Sequence, residues 1–421
     1  MAGDFEKVLE FGRPPNVVKL FPHSRALIVS GKVMDRAMLK NGASMTIAAN
    51  GRNHSVIQGA LQAAQRANAC IILEIAKSEA NYCMTNMWNL ARRADQLMNE
   101  LNITVPVAIH ADHYGVKTDY DLERAKLEIP SMFDAGITSI AIDASHRPDD
   151  DNLFTNLALG PLVPSWAGYE TEVGEIKGEF GLSAPEEALF LIQGLNAHSI
   201  FPDWIALNNG SSHGIESSGE GIQVELTREI HEALGPYGLS GAQHGTSGND
   251  SQRLKEIAEH TVTTKANVAT ALQMISWGVR VNDFGNAELD DAGEFIKESD
   301  KGVSDALWAE MRSYADDNGL KGGNYKKLNL PFEMRMLGEP RENRARMAGD
   351  VEDFIYTMLV NVFNAKDSAD AAIDVLMEAG SHDLGPKAER IEDPALWTDA
   401  LIREKAAAID TDKGPEGDFD D

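Results

Sequence analysis

Residues 104–118 read TVPVAIHADHYGVKT. The stretch Val105–Ile109 is apolar and β-branched, the composition of a strand buried on both faces. It then ends in His110, Asp112 and His113. Two imidazoles and a carboxylate where a buried strand runs out are costly to desolvate unless something there uses them. Other stretches behave in the same way. Apolar runs occur at SMTIAAN (44–50), CIILEIA (70–76), VPVAIH (105–110), ITSIAID (137–143), YETEVG (169–174), DWIALNNG (203–210), LSGAQHG (239–245) and WGVRVND (277–283). Helical periodicity lies between them, as in SVIQGALQAAQRAN (55–68), NLARRADQLMNEL (89–101) and DSQRLKEIAEH (250–260). Eight strand–helix units in series predict an α/β fold, a (β/α)8 TIM barrel.

This reading divides the chain into four parts. Residues 1–43 form an N-terminal segment with helices, and 44–285 form the barrel. Residues 286–400 continue as helices packed on it, carried by VSDALWAEMRSYADDNG (303–319) and MAGDVEDFIYTMLVNVFNA (347–365). An acidic tail at 401–421 is expected to be disordered, since DTDKGPEGDFDD has too little apolar surface to fold.

Composition narrows the function. Sixty-six acidic residues against 38 basic ones give a net charge of −28, which disfavours nucleic acid and anionic membranes as partners. It suits a soluble acidic surface of the kind saline surroundings favour. No apolar run approaches the roughly 20 residues of a membrane-spanning helix. The start, MAGDFEKVLEFGRPP, lacks the basic-then-apolar pattern of a secretion signal. Two cysteines, Cys70 and Cys83, make no CxxC; Cys70 opens an apolar run and reads as a buried free thiol, and the compartment as reducing, hence cytoplasmic.

Catalytic groups of such barrels stand at the C-terminal strand ends. There this chain carries His110, Asp112 and His113 (run three), Asp143 and His146 (run four), and Glu170 and Glu172 (run five). It also carries His213 (run six), His244 (run seven), and Asn282 and Asp283 (run eight). His113, His213 and His244, from different strands, suit a zinc-like ion with one position left for substrate. Asp143 and Glu172 add oxygen donors for a second cation, or hold the histidines from behind. His110 is either a ligand or an orienting residue. The stretch GTSGND (245–250) runs into a helix, and its backbone N–H groups and the helix dipole suit a phosphate.

The ordered set resembles the class II, metal-dependent fructose-bisphosphate aldolases. PVAIHADHYG is similar to their HxDH signature and SIAIDASHRPDDDN to their MIDxSH strand. YETEVGEIKGE resembles the EVGxxGGxED loop, and NNGSSHG and AQHGTSG resemble GxxHG and HGGSG. The resemblance implies His113, His213 and His244 as ligands of zinc or another divalent ion, with Asp143 and Glu172 at a secondary cation site. It implies Asp112 as the acid/base at the C4 oxygen of the sugar. Gly214, Gly245 and Ser247 would hold the phosphate of the dihydroxyacetone phosphate half, Asn50 would contact substrate, and Asn282 would bind the enediolate. The loop acid that protonates carbon is Glu179, or Glu175, because the family's paired acids appear here as Glu179 followed by Phe180. The family's NxDTD is read here in NDFGN (282–286), and Lys326, Lys327 and Arg335 stand in for the family's arginine on the far phosphate.

The expected activity is reversible cleavage of a ketose bisphosphate, by default fructose 1,6-bisphosphate, to dihydroxyacetone phosphate and glyceraldehyde 3-phosphate, within glycolysis and gluconeogenesis. Tagatose bisphosphate or another modified sugar phosphate is the alternative. A metal-dependent hydrolase or an inactive binding protein on the same barrel comes after it. A homo-oligomer, dimer or larger, is implied. A Schiff-base aldolase is disfavoured because no run ends in a suitable lysine. Lys77, the nearest, reads as a solvated loop residue.

Overall fold

A computed structural model describes residues 2–174, 180–211, 221–247, 249–282 and 285–409. Eight parallel strands close into a barrel in sequence order. They are β1 (Thr46–Asn50), β2 (Ile71–Ala76), β3 (Val107–Gly115), β4 (Ser139–Asp143), β5 (Gly168–Val173), β6 (Trp204–Leu207), β7 (Ser240–Gln243) and β8 (Thr263–Val268). The ring closes where β1 pairs with β8, Thr46 opposite Lys265. The (β/α)8 reading holds.

Run eight is corrected. WGVRVND is not a barrel strand: it follows the helix Thr270–Trp277 and pairs only locally, Val279 with Lys297 and Val281 with Ala287. The true β8, TTKANV, escapes a search for apolar runs because it turns Lys265 and Asn267 into the barrel. Side chains two apart share a face, so both groups enter the interior together.

The N-terminal mouth is closed. The helix Gly31–Asn41, capped by Ser30 Oγ, packs so tightly across it that a Cβ at Gly31 would lie 2.5 Å from the Ser139 Cβ. Arg36 on this helix donates to the carbonyls of Leu384 and Gly385. Lys387 pairs with Asp35 at 2.5 Å and donates to Ser240 Oγ. A C-terminal segment thus straps the barrel floor.

Beyond β8 the chain is mainly helical. The helix Arg341–Thr357 packs on His54–Ala67, with Gly59 against the Ala348 carbonyl and Val351. The helix Asp399–Ala406 crosses the expected start of the tail, because Ile402 is buried in a small core with Trp397 and Phe190.

Candidate active site

A cavity of about 280 Å³ opens at the C-terminal strand ends. Asp112 and His113 both line it, although neighbours on a regular strand face opposite ways. A bulge solves this. The β3–β4 register slips between Ala111 and Tyr114, and His113 takes φ +41°, a conformation non-glycine residues rarely adopt. Backbone strain is placed where two consecutive side chains must converge.

His113 Nδ1 lies 3.2 Å from Glu172 Oε1 and 3.7 Å from Asp143 Oδ2. Burial opposes its charge, but the Glu172 and Asp112 carboxylates outweigh this and hold the imidazole well above its usual range. The ring stands edge-on to His244 at 4.3 Å. His244 Nε2–H donates to Glu170 Oε1 at 2.8 Å, which fixes the tautomer and leaves the Nδ1 lone pair available. That Nδ1 is buried with no hydrogen-bond partner. An orphaned buried acceptor is expensive, and a cation would satisfy it.

Donor atoms of Asp112, His113 and His244 lie within 4.8 Å of one another, as do those of His113, Asp143 and Glu172. The residues therefore fit a divalent ion, and the two sets share His113. His213 and Gly214, and the loop acids Glu175 and Glu179, lie outside the described residues. Asp143 Oδ1 accepts from the Ser145 N–H and hydroxyl, which aims its other oxygen at His113.

His110 is an orienting residue. It is fully buried, with Nδ1 2.5 Å from Ser139 Oγ and Nε2 3.1 Å from Lys265 Nζ. The ammonium must donate, so Nε2 accepts and neither nitrogen is left for an ion. Burial and then Lys265 push its pKa down to about 3. Lys265 was not legible in the sequence. It pairs with Glu170 at 2.8 Å, Glu74 at 3.5 Å and Asp112 at 3.8 Å. Burial lowers its proton affinity, but Glu170 and Glu74 more than restore it. A lysine so firmly protonated is no Schiff-base nucleophile.

Asp112 Oδ1 accepts from Asn267 Nδ2 at 2.9 Å. Burial would raise the pKa of Asp112, yet His113 and Lys265 bring it down to about 2, so it is ionised at neutral pH. Asn267 lines the cavity and keeps its own Oδ1 unpartnered. It takes the place given to Asn282, whose Oδ1 accepts from the Asn286 N–H in the segment beyond the barrel. KANVAT (265–270), not NDFGN, is the sequence at the end of β8. Asn50 lines the cavity too, its Nδ2 held by Glu79 and its Oδ1 unpartnered. Gly245, Thr246 and Ser247 complete that side, with Gly245 at φ +59° and Ser247 Oγ unpartnered.

Comparison with known proteins gives the family. The family model "Fructose-bisphosphate aldolase class-II" matches residues 31–318, and the chain belongs to that family of metal-dependent aldehyde-lyases. The fructose-bisphosphate aldolase of Staphylococcus epidermidis is 27% identical over 283 residues, covering 65% of this chain and 92% of that protein. That of Staphylococcus aureus shows the same identity and coverage. Among solved structures, the YdjI aldolase of Escherichia coli K12 superposes with TM-score 0.54 at 15% identity, over 81% of this chain and 99% of that one. The fructose-bisphosphate aldolase of Campylobacter jejuni gives 0.51 at 18%, over 81% and 97%. At these identities the structures speak for the barrel alone. Among the described residues no helix is long and apolar enough to cross a membrane.

Proposed function

We propose that this protein reversibly cleaves fructose 1,6-bisphosphate to dihydroxyacetone phosphate and glyceraldehyde 3-phosphate, with zinc or a similar divalent ion held by His113, His244 and His213. The observation that carries the reading is the Asp112–His113 bulge. It sets an ionised carboxylate beside a candidate metal ligand, within one cavity that also holds a turn suited to phosphate.

A bound divalent ion supplies a Lewis acid for the charge that collects on the ketone half. The protein's own groups do the rest. Gly245 and Ser247 seat the phosphate of that half. Asp112, steadied by Asn267, takes the C4 hydroxyl proton as the C3–C4 bond breaks and the aldehyde leaves. Its low proton affinity keeps it ionised until the substrate hydroxyl approaches. The proton that C3 then needs is assigned to Glu179, with Glu175 as the alternative. The secondary cation position belongs to Asp143 and Glu172. The proposal extends to a place in glycolysis, a homo-oligomer and a cytoplasmic setting, the last supported by two buried free thiols.

The test is a coupled triose phosphate assay of the purified protein, before and after EDTA and with zinc restored. Cleavage that EDTA abolishes and zinc restores supports the reading. Metal-loaded protein that cleaves tagatose 1,6-bisphosphate in its place reassigns the substrate, and inactivity on both sugars overturns it.

A further inference from the structure

Strands β6 and β7 pair through the main chain as far as Ala206 opposite Ala242. Past that rung each chain leads into the site. Gln243 is the last residue of β7 and stands directly before His244, and Asn209 lies just beyond β6. Both side chains are amides, and both residues are 2% exposed. A buried amide costs free energy unless its donors and its acceptor are met.

The two amides meet each other. Asn209 Nδ2 donates to Gln243 Oε1 at 2.8 Å, and Gln243 Nε2 donates back to Asn209 Oδ1 at 3.2 Å. The second proton of Gln243 Nε2 goes to the His244 carbonyl at 2.7 Å. The second proton of Asn209 Nδ2 goes to Thr227 Oγ1 at 2.9 Å, and that hydroxyl donates in turn to the Gln223 carbonyl at 2.8 Å. These outer bonds decide which end of each amide is nitrogen. A carbonyl only accepts, so Gln243 must turn its nitrogen to His244. The Thr227 hydroxyl has given its proton to Gln223, so Asn209 must turn its nitrogen to Thr227. With both orientations set, the reciprocal pair follows, and every nitrogen and oxygen of the two amides has a partner.

The same seam carries further ties. The Gln223 N–H donates to the Asn209 carbonyl at 2.8 Å. Asn249 spans the Gly245 carbonyl at 2.9 Å and the Ile222 N–H at 3.1 Å. The main chain of His244 and Gly245 is thus held from the β6 side. His244 therefore has two separate supports. Glu170 holds its ring through Nε2–H, and the amide pair holds the main chain from which that ring hangs. A metal ligand must stay within about 0.5 Å of its productive place, and a fixed ring on loose backbone does not meet that condition.

We infer that Gln243 and Asn209 are positioning residues for the cation site: their amide pair continues the β6–β7 pairing past the last main-chain rung and sets the backbone from which His244 presents Nδ1. The inference rests on the reading of His244 as a metal ligand.

The experiment combines Gln243→Met with Asn209→Leu. These side chains approximate the original shapes, and removing both halves of a buried pair leaves neither amide facing an apolar partner, so most of the stability should be kept. Zinc affinity of the metal-free, full-length protein is read by dialysis against chelator-buffered zinc. The visible spectrum of the cobalt-loaded protein reports ligand geometry. Affinity should fall roughly tenfold to a hundredfold, and the cobalt bands should shift. Arg36→Ala, on the barrel floor, should lower the urea midpoint and leave both metal readouts as in wild type. If the double variant does not fold, Thr227→Val replaces it. That change removes the bond that orients Asn209 while keeping the shape, and it should weaken zinc binding by a smaller factor. Metal readouts unchanged in the folded variant, or moved as far by Arg36→Ala, overturn the inference while the metal reading stands. Wild type that takes up no zinc overturns that reading and the inference with it.

Discussion

At the scale of single residues, the site separates holding a cation from moving a proton. Asp112 shares a bulge with His113, yet one of its oxygens is committed to Asn267. Asp112→Ala should therefore keep metal near wild-type content and lose turnover by roughly 10²–10⁴-fold, the usual worth of a positioned general base. Metal content by atomic emission beside kcat checks this, and loss of metal with activity would make Asp112 a ligand. Glu170 acts one step back. It accepts from His244 Nε2–H and holds the ring in the tautomer that presents Nδ1. Glu170→Gln breaks that bond or reverses the tautomer, so zinc affinity should fall by roughly 10–100-fold. Competition with a fluorescent chelator measures it. An unchanged affinity would show that His244 needs no such hold.

At the scale of elements, β3 and β8 show what a sequence exposes and what it hides. The apolar half of β3 announces a strand, and the polar residues at its end announce a site. Asp112, His113, Asp143, Glu172 and His244 were all legible in this way, and the structure brings them together. Strand β8 gives no such signal. Its inward Lys265 and Asn267 make the segment read as polar, while WGVRVND, which follows the barrel, reads as apolar. Lys77 hides its surroundings for a related reason. Its loop looks solvated in one dimension, and only the barrel places it against Tyr114. The same interior layer makes a stability prediction. Lys265 balances buried Glu170 and lies near Glu74 and Asp112. Lys265→Met takes from buried Glu170 the one lysine that pairs with it and should cost about 3–5 kcal/mol. Adding Glu170→Gln should recover part of the loss, and urea unfolding of the two variants separates them. Equal midpoints would mean that the charges are not coupled.

At the scale of the whole molecule, the charge of −28 is the dominant long-range term. The cations that meet acids are local. Some reach into the interior, as Lys265 does with Glu170 and half-buried Lys387 does with buried Asp35, and others are exposed pairs such as Arg228 with Glu232 or Arg403 with Asp150. Exposed pairs of this kind contribute about 0–1 kcal/mol each and leave the net repulsion in place. Self-repulsion of like charge destabilises a compact state. It also reaches farther than a contact, so salt removes it: the Debye length shrinks from about 10 Å at 0.1 M to about 3 Å at 1 M. The buried ion clusters inside the barrel are shielded from salt and should keep their contribution. Thermal unfolding in potassium chloride should therefore show Tm rising from 0.1 M to 1 M. Chloride is the anion to use, since sulfate would strengthen apolar burial and raise Tm by a separate route. A Tm that falls with chloride would mean that attractive surface pairs outweigh the net charge, and that the acidic surface is balanced locally.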